Sequence, residues 1–125
     1  MPPVRILICD DAVLFATMLS VWFEEDPRIE VAGVATSARE GLELAERIRP
    51  DVVLLDHLLP DGSSPDVVPV LRARAPGAAV VLLSGLIGDV LAQAAADVGA
   101  QGWVSKASTH EEVRAEILRV AVPTA

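Results

Sequence analysis

Asp10 and Asp11 directly follow the apolar run Arg5-Ile6-Leu7-Ile8-Cys9, Asp56 closes Val52-Val53-Leu54-Leu55, and Ser84 closes Val80-Val81-Leu82-Leu83. Lys106 comes just after a fifth short run marked by Trp103 and Val104. If these runs are strands lying parallel in one sheet, their carboxyl ends share an edge, and side chains dozens of positions apart meet in one crevice. Three carboxylates gathered there repel one another unless a hard cation such as Mg2+ neutralises them. An ammonium and a hydroxyl beside them suit the oxygens of a phosphoryl group. The residue types therefore point to metal-assisted phosphate chemistry.

The elements that would position those residues alternate along the chain. After the first strand, Val13, Leu14, Met18, Leu19, Val21 and Trp22 give residues 12–25 a broad apolar helical face, ended by Pro27. Residues 29–35 read as a second strand. Ser37-Ala38-Arg39-Glu40 has the spacing of a capping box, in which serine and glutamate satisfy each other's backbone donors, and opens a helix running toward Arg49. The third strand passes from Asp56 into the turn-rich stretch Pro60-Asp61-Gly62-Ser63-Ser64, and Pro65 fits the first turn of a helix reaching about Ala75. An alanine-rich helix from about Gly88 stops at Gly99, which suits a left-handed cap. Thr109-His110-Glu111-Glu112 is a second capping box; Val113, Ile117 and Val120 share a face of the last helix, which Pro123 terminates.

Strands that are apolar on both faces and alternate with helices imply right-handed crossovers and a doubly wound α/β sheet. Five parallel strands and five helices make the order 2-1-3-4-5 the expected one, with the crevice between the first and third strands. At 125 residues the chain reads as a single domain over 1–125, with a core of about 4–120 and residues 121–125 as a tail or the start of a linker. The formal charge of −8 opposes direct binding to nucleic acid. Cys9 is the one cysteine, which excludes an internal disulfide and a cysteine-based metal cage and suits a reducing cytoplasm. The first apolar run is interrupted by Asp10 and Asp11 too soon for a signal peptide or a membrane span.

Taken singly, each feature has a plain explanation: adjacent aspartates are commonly a turn or a cap, an aspartate closing a strand is a solvated turn residue, and a lysine is a surface charge. His57 and His110 read as solvated, Trp22 as packed in the core or at a partner-facing edge, and Glu24, Glu25 and Asp26 as a solvated face. What argues against coincidence is the common sheet edge.

Together the Asp10-Asp11 pair, Asp56-His57-Leu58-Leu59-Pro60-Asp61-Gly62, Ser84-Gly85 and Gly99-Ala100-Gln101-Gly102-Trp103-Val104-Ser105-Lys106 resemble the receiver domains of two-component response regulators, from about Val4 to Val120. The spelling from Gly99 to Lys106, with Ala107 in place of a proline, looks most like the NarL/LuxR-type subclass. The resemblance implies a flavodoxin-like fold, Asp56 as phosphoacceptor, and Mg2+ (Mn2+ can substitute) held by Asp10, Asp11, Asp56 and the Leu58 carbonyl. It also implies Ser84 and Lys106 as ligands of the arriving phosphoryl group, a mobile backbone at Gly85, and Trp103 in the place of a switch aromatic. Without the proline, the Lys106-Ala107 peptide is expected to be trans.

On this reading the chain receives a phosphoryl group from a sensor histidine kinase and alters the surface of the fourth helix, fifth strand and fifth helix. The change would control an output domain or partner, with transcription as the destination and a homodimer as one assembly open to it. It would catalyse only its own phosphorylation and dephosphorylation. An aspartate-nucleophile phosphatase would need a second acid two residues after Asp56, where Leu58 stands. A flavin or nucleotide carrier would need a glycine-rich loop after the first strand, where Asp10 and Asp11 would repel phosphate. An inert interaction module would not need all five chemical positions filled.

Overall fold

The computed structural model describes residues 2–86 and 88–121. Strands β1 (Val4–Cys9), β2 (Ile29–Ala35), β3 (Val52–Asp56), β4 (Ala79–Ser84) and β5 (Gly102–Ser105) form one sheet. Helices α1 (Val13–Glu24), α2 (Ala38–Ile48), α3 (Ser64–Arg74), α4 (Gly88–Val98) and α5 (His110–Ala121) alternate with them. All pairings in the sheet are parallel and its order is β2-β1-β3-β4-β5, as expected. The turn-rich stretch after β3 adds something periodicity did not predict, a two-residue antiparallel ladder pairing Leu58 with Ser63 and Leu59 with Gly62. Pro123 lies outside the described residues.

The sheet is apolar on both faces because both are covered. Ile6, Ile8, Leu54, Val81, Leu83 and Val104 pack against Ala16, Leu19 and Phe23 of α1 and Val113 and Ile117 of α5. On the other face Leu7, Cys9, Val53, Leu55 and Val80 meet Ala45 of α2 and Val67, Val68 and Leu71 of α3, while Leu82 meets Leu91 and Ala95 of α4. Each fully buried aliphatic side chain contributes about 1.5–3 kcal/mol. This core holds the strand ends in place.

Helix α1 departs from expectation. Its inward face is carried by Ala16, Leu19 and Phe23, and the large apolar residues Val13, Leu14, Met18 and Val21 are exposed. A helix rich in apolar residues on nearly every side gives little periodic contrast, so the pattern could not say which face turned inward.

The helix ends are tied to distant parts of the chain. Ser37 Oγ accepts from the Glu40 N–H at 3.1 Å, but the Glu40 carboxylate reaches past Ser37 to the Thr36 N–H at 2.9 Å, so the expected capping box is displaced by one residue. The free N–H groups of Ala38 and Arg39 are bound by Asp61 at 2.7 and 3.0 Å. These two bonds hold the Asp61 carboxyl below the usual carboxylate range. At the other end of α2, the Arg5 guanidinium donates to the carbonyls of Ile48 and Arg49 at 2.7 and 3.1 Å. Helix α4 ends at Gly99 with φ of +70°, as expected, and Arg72 donates to the Val98 and Gly99 carbonyls there. The Thr109–Glu112 box closes in both directions at 3.1 Å.

Asp26, expected on a solvated face, is buried. Its carboxylate accepts from the backbone N–H, Nε and Nη2 of Arg28 at 2.9, 3.0 and 2.8 Å, and Arg114 Nε of α5 lies 3.1 Å away. The Arg28 bonds hold its pKa down at about 2. A carboxyl depressed on folding adds stability at pH values above its unfolded pKa and loses it as pH falls through the folded one. Asp26→Asn should therefore lower the urea midpoint at neutral pH and flatten its decline between pH 4 and 2; superimposable pH profiles of wild type and variant would refute this.

Gly41 supplies a close approach between α2 and β1: a Cβ there would lie 2.7 Å from Cys9 Sγ. Elsewhere inside a helix, glycine to alanine gains roughly 1 kcal/mol. Here overpacking costs about 1–3 kcal/mol and reverses the sign. Gly41→Ala should destabilise the protein, and Cys9→Ala should suppress much of that cost in a double-mutant cycle followed by chemical denaturation.

Candidate functional site

The carboxyl end of the sheet gathers what the sequence placed there. Asp10 follows β1, Asp56 is the last residue of β3, and both are buried because the strands carrying them are central; Asp11, one residue on, is exposed. One oxygen from each of Asp10, Asp11 and Asp56 lies within 4.8 Å of the others. Lys106 comes from beyond β5, carried inward by the bond of its backbone N–H to the Ser84 carbonyl at 2.7 Å.

The Lys106 ammonium donates to Asp10 Oδ1 and Asp56 Oδ2, each at 3.1 Å, and stands the same distance from Asp10 Oδ2. It also lies 5.3 Å from the centroid of the Phe15 ring, close enough for a cation–π contact. Phe15 was not singled out in the sequence, since nothing there marks which side chain of α1 turns toward the strand ends.

Burial disfavours charge on Asp56 and raises its pKa; the nearby Asp10 adds to this and the Lys106 hydrogen bond opposes it. Burial also works against the Lys106 charge, but the bonds to Asp10 and Asp56 outweigh it and its pKa is raised.

The fit to a divalent cation rests on the donor set. Asp10 Oδ1 is engaged by the Ala12 N–H at 2.9 Å as well as by Lys106, yet Asp10 Oδ2 is buried without a hydrogen bond. Its contact is the ammonium of Lys106 at 3.1 Å, which is shared with Asp10 Oδ1 and Asp56, so it keeps lone pairs free for a hard cation. With three carboxylates facing one ammonium, the ionised site has an excess of two negative charges. The residues present therefore fit Mg2+ or Mn2+.

The other candidates surround this centre in different ways. Ser84 is buried at the end of β4, its hydroxyl accepting from the Leu86 N–H at 3.0 Å. At Gly85 a Cβ would meet nothing within 4 Å, so close packing does not require glycine there. Leu58 is 65% exposed, and its N–H donates to Asp56 Oδ1 at 3.3 Å. Trp103 pairs with Leu82 in the sheet and is 44% exposed, lining a groove with Gly88 and Leu91 of α4 and Glu112 and Glu116 of α5. The Lys106-Ala107 peptide is trans, as expected.

Neither histidine is simply solvated. His57 Nδ1 lies 2.6 Å from the hydroxyl of buried Ser64. The His110 ring stacks on Trp22 with centroids 4.7 Å apart. Trp22 itself is packed at the edge of the α1–α5 core.

Comparison with known proteins agrees with this geometry. The chain is similar to the transcriptional regulatory protein MctR of Rhizobium johnstonii, at 34% identity over 120 residues, 96% of this chain and 56% of that protein. It is similar to a protein-glutamate methylesterase/protein-glutamine glutaminase of Myxococcus xanthus, at 34% identity over 99 residues, 79% of this chain and 26% of that protein. The chain thus spans from about a quarter to just over half the length of these curated relatives. Among solved structures, the signal receiver domain of NarL from Mycobacterium tuberculosis superposes with a TM-score of 0.88 at 28% identity, covering 97% of this chain and 98% of that one. No helix among the described residues is long and apolar enough to cross a membrane. The family model for the response regulator receiver domain matches residues 6–118, the stretch that carries the acid cluster and Lys106, and the chain belongs to that family of phosphorelay signalling domains.

Proposed function

We propose that Asp56 is the residue on which this receiver domain carries its phosphoryl group, taken from a sensor histidine kinase. The observation that carries the proposal is the convergence of Asp10, Asp11 and Asp56 within 4.8 Å with the Lys106 ammonium bonded to two of them. Asp56 is the carboxylate at the end of a central strand, backed by the buried β3–β4 ladder and so rigidly aimed.

In the transfer step a carboxylate oxygen of Asp56 attacks phosphorus, the phosphorus–nitrogen bond of the phosphohistidine breaks, and the imidazole leaves with the bonding electrons. Asp10, Asp11 and Asp56, with the Leu58 carbonyl, would hold Mg2+ or Mn2+, which when bound offsets the charge on the transferring oxygens. Lys106 gives up its bond to Asp56 and follows the new oxygens, and the Ser84 hydroxyl turns from the Leu86 N–H toward them. Moving Lys106 and Ser84 pulls on the ends of β4 and β5, the strands that precede α4 and α5. Trp103 lies on the strand between those two helices. The α4–β5–α5 surface is therefore the expected output, read by a further domain, a partner protein or a second copy of the chain, with control of transcription the favoured destination.

The chemistry ends with the phosphorylated carboxylate and its hydrolysis rather than with turnover of an outside substrate. Leu58 stands where a phosphatase would need its proton-donating acid. We place the protein in the cytoplasm, where kinase and output meet, acting without direct contacts to nucleic acid or membrane. Leu58 and Leu86 stand two residues after Asp56 and Ser84, and both present apolar side chains to solvent, 65% and 37% exposed; we assign them the role of hindering water at the phosphorylated carboxylate.

Incubation with acetyl phosphate and Mg2+ should add one phosphoryl mass to wild type and none to Asp56→Asn. Asp11→Asn should reduce the labelled fraction at limiting Mg2+. Labelling of Asp56→Asn to the wild-type level would refute Asp56 as the acceptor. Once formed, the phosphoryl group should be long-lived, and Leu58→Asn should shorten its half-life severalfold by admitting an ordered water. Decay no faster in the variant, followed by the same mass measurement, would remove Leu58 from that role.

A further inference from the structure

Ser64 opens α3 fully buried, and its hydroxyl is bound by the Nδ1 of His57 at 2.6 Å. The same two residues are joined through the main chain: the Ser64 N–H donates to the His57 carbonyl at 2.9 Å, while the His57 N–H donates to the Leu83 carbonyl of β4 at 2.8 Å. Between them the chain forms the ladder of Leu58 with Ser63 and Leu59 with Gly62. His57 thus closes the base of a small hairpin and anchors it to the sheet. The next residue, Leu58, has its N–H on Asp56 Oδ1 at 3.3 Å, and its carbonyl is the one that would complete the metal shell.

A main-chain carbonyl in a loop is a good ligand only if its peptide is held still, and the groups that hold a ligand govern affinity almost as strongly as the ligand does. We propose that the His57 imidazole, acting through the buried Ser64 hydroxyl, is a positioning residue that holds the base of this hairpin and with it the 58–59 peptide, whose Leu58 carbonyl would bind the divalent cation. This rests on the metal reading given above. The serine hydroxyl can donate or accept, so either tautomer of the ring sustains the contact. Removing the ring nitrogen would strand the Ser64 hydroxyl in the core and loosen the hairpin at its base.

The test is a Mn2+ titration of the unphosphorylated chain, with free Mn2+ read by electron paramagnetic resonance and the fold checked by circular dichroism. His57→Leu should bind Mn2+ about tenfold more weakly, and Ser64→Ala should do the same. The double variant should be no weaker than either single one, because both remove the same contact. His57→Asn, whose amide reaches Ser64 from nearly the position of Nδ1, should recover most of the affinity. A folded His57→Leu with wild-type affinity, or His57→Asn as weak as His57→Leu, overturns the proposal; should His57→Leu not fold, Ser64→Ala at wild-type affinity overturns it equally. If wild type binds no Mn2+, or Asp11→Asn binds it as tightly as wild type, the metal reading fails and this inference fails with it.

Discussion

Repulsion among Asp10, Asp11 and Asp56 is the constraint on which the rest of this structure depends. Two of the three carboxylates are buried and all three converge, an arrangement a protein tolerates only with opposite charge close at hand. Lys106 supplies part of that charge. Burial and the neighbouring Asp10 leave Asp56 less inclined to ionise than an ordinary carboxyl, and Lys106, dividing its ammonium between the two acids, offsets this only in part. A site stabilised this incompletely suits a switch: on the proposed reading, an added cation or phosphoryl group would redistribute the lysine. A fully neutral cluster would be more stable and would have nothing to signal with.

The scaffold makes that tension tolerable. Strand β3 is buried along its whole length and is paired on both sides, so Asp56 cannot retreat from its neighbours. Asp10 is pinned by the Ala12 N–H at the entrance to α1. The segments bearing Ser84 and Lys106 leave the sheet together where β4 and β5 end, the bond from the Lys106 N–H to the Ser84 carbonyl closing their ladder. The acids therefore sit on the rigid part of the edge, and the groups expected to move sit at the ends of the strands that precede α4 and α5.

Much of this was legible in the chain because it rests on local patterning. Three uninterrupted apolar runs, ending at Cys9, Leu55 and Leu83, with the polar residues that follow them, marked the central strands and the position of every member of the acid cluster. What could not be read depends on contacts between distant segments. Asp61 looks like a turn residue and is one, but it also caps α2 from 22 or 23 positions away. Asp26 sits among acids in the sequence, and only the return of α5 brings Arg114 to it. Arg5 and Arg72 look like surface charges, yet each closes the end of a helix remote from it. His57 has no histidine near it, and its serine partner becomes visible only when the hairpin folds back. The outward face of α1 failed for a different reason: with apolar residues nearly all round, hydrophobicity alone does not choose an orientation.

Cys9 lies one residue before the acid cluster, sealed between β1 and the glycine of α2, with burial pushing its thiol up to about 12. Almost none of it is thiolate at neutral pH, and thiolate is the form that oxidants and alkylating reagents attack. Nature has thus put a dormant nucleophile at the seam beside the acids. Its slow reaction with a maleimide would time how often the α2–β1 seam parts, a breathing rate obtained without attaching any foreign reporter.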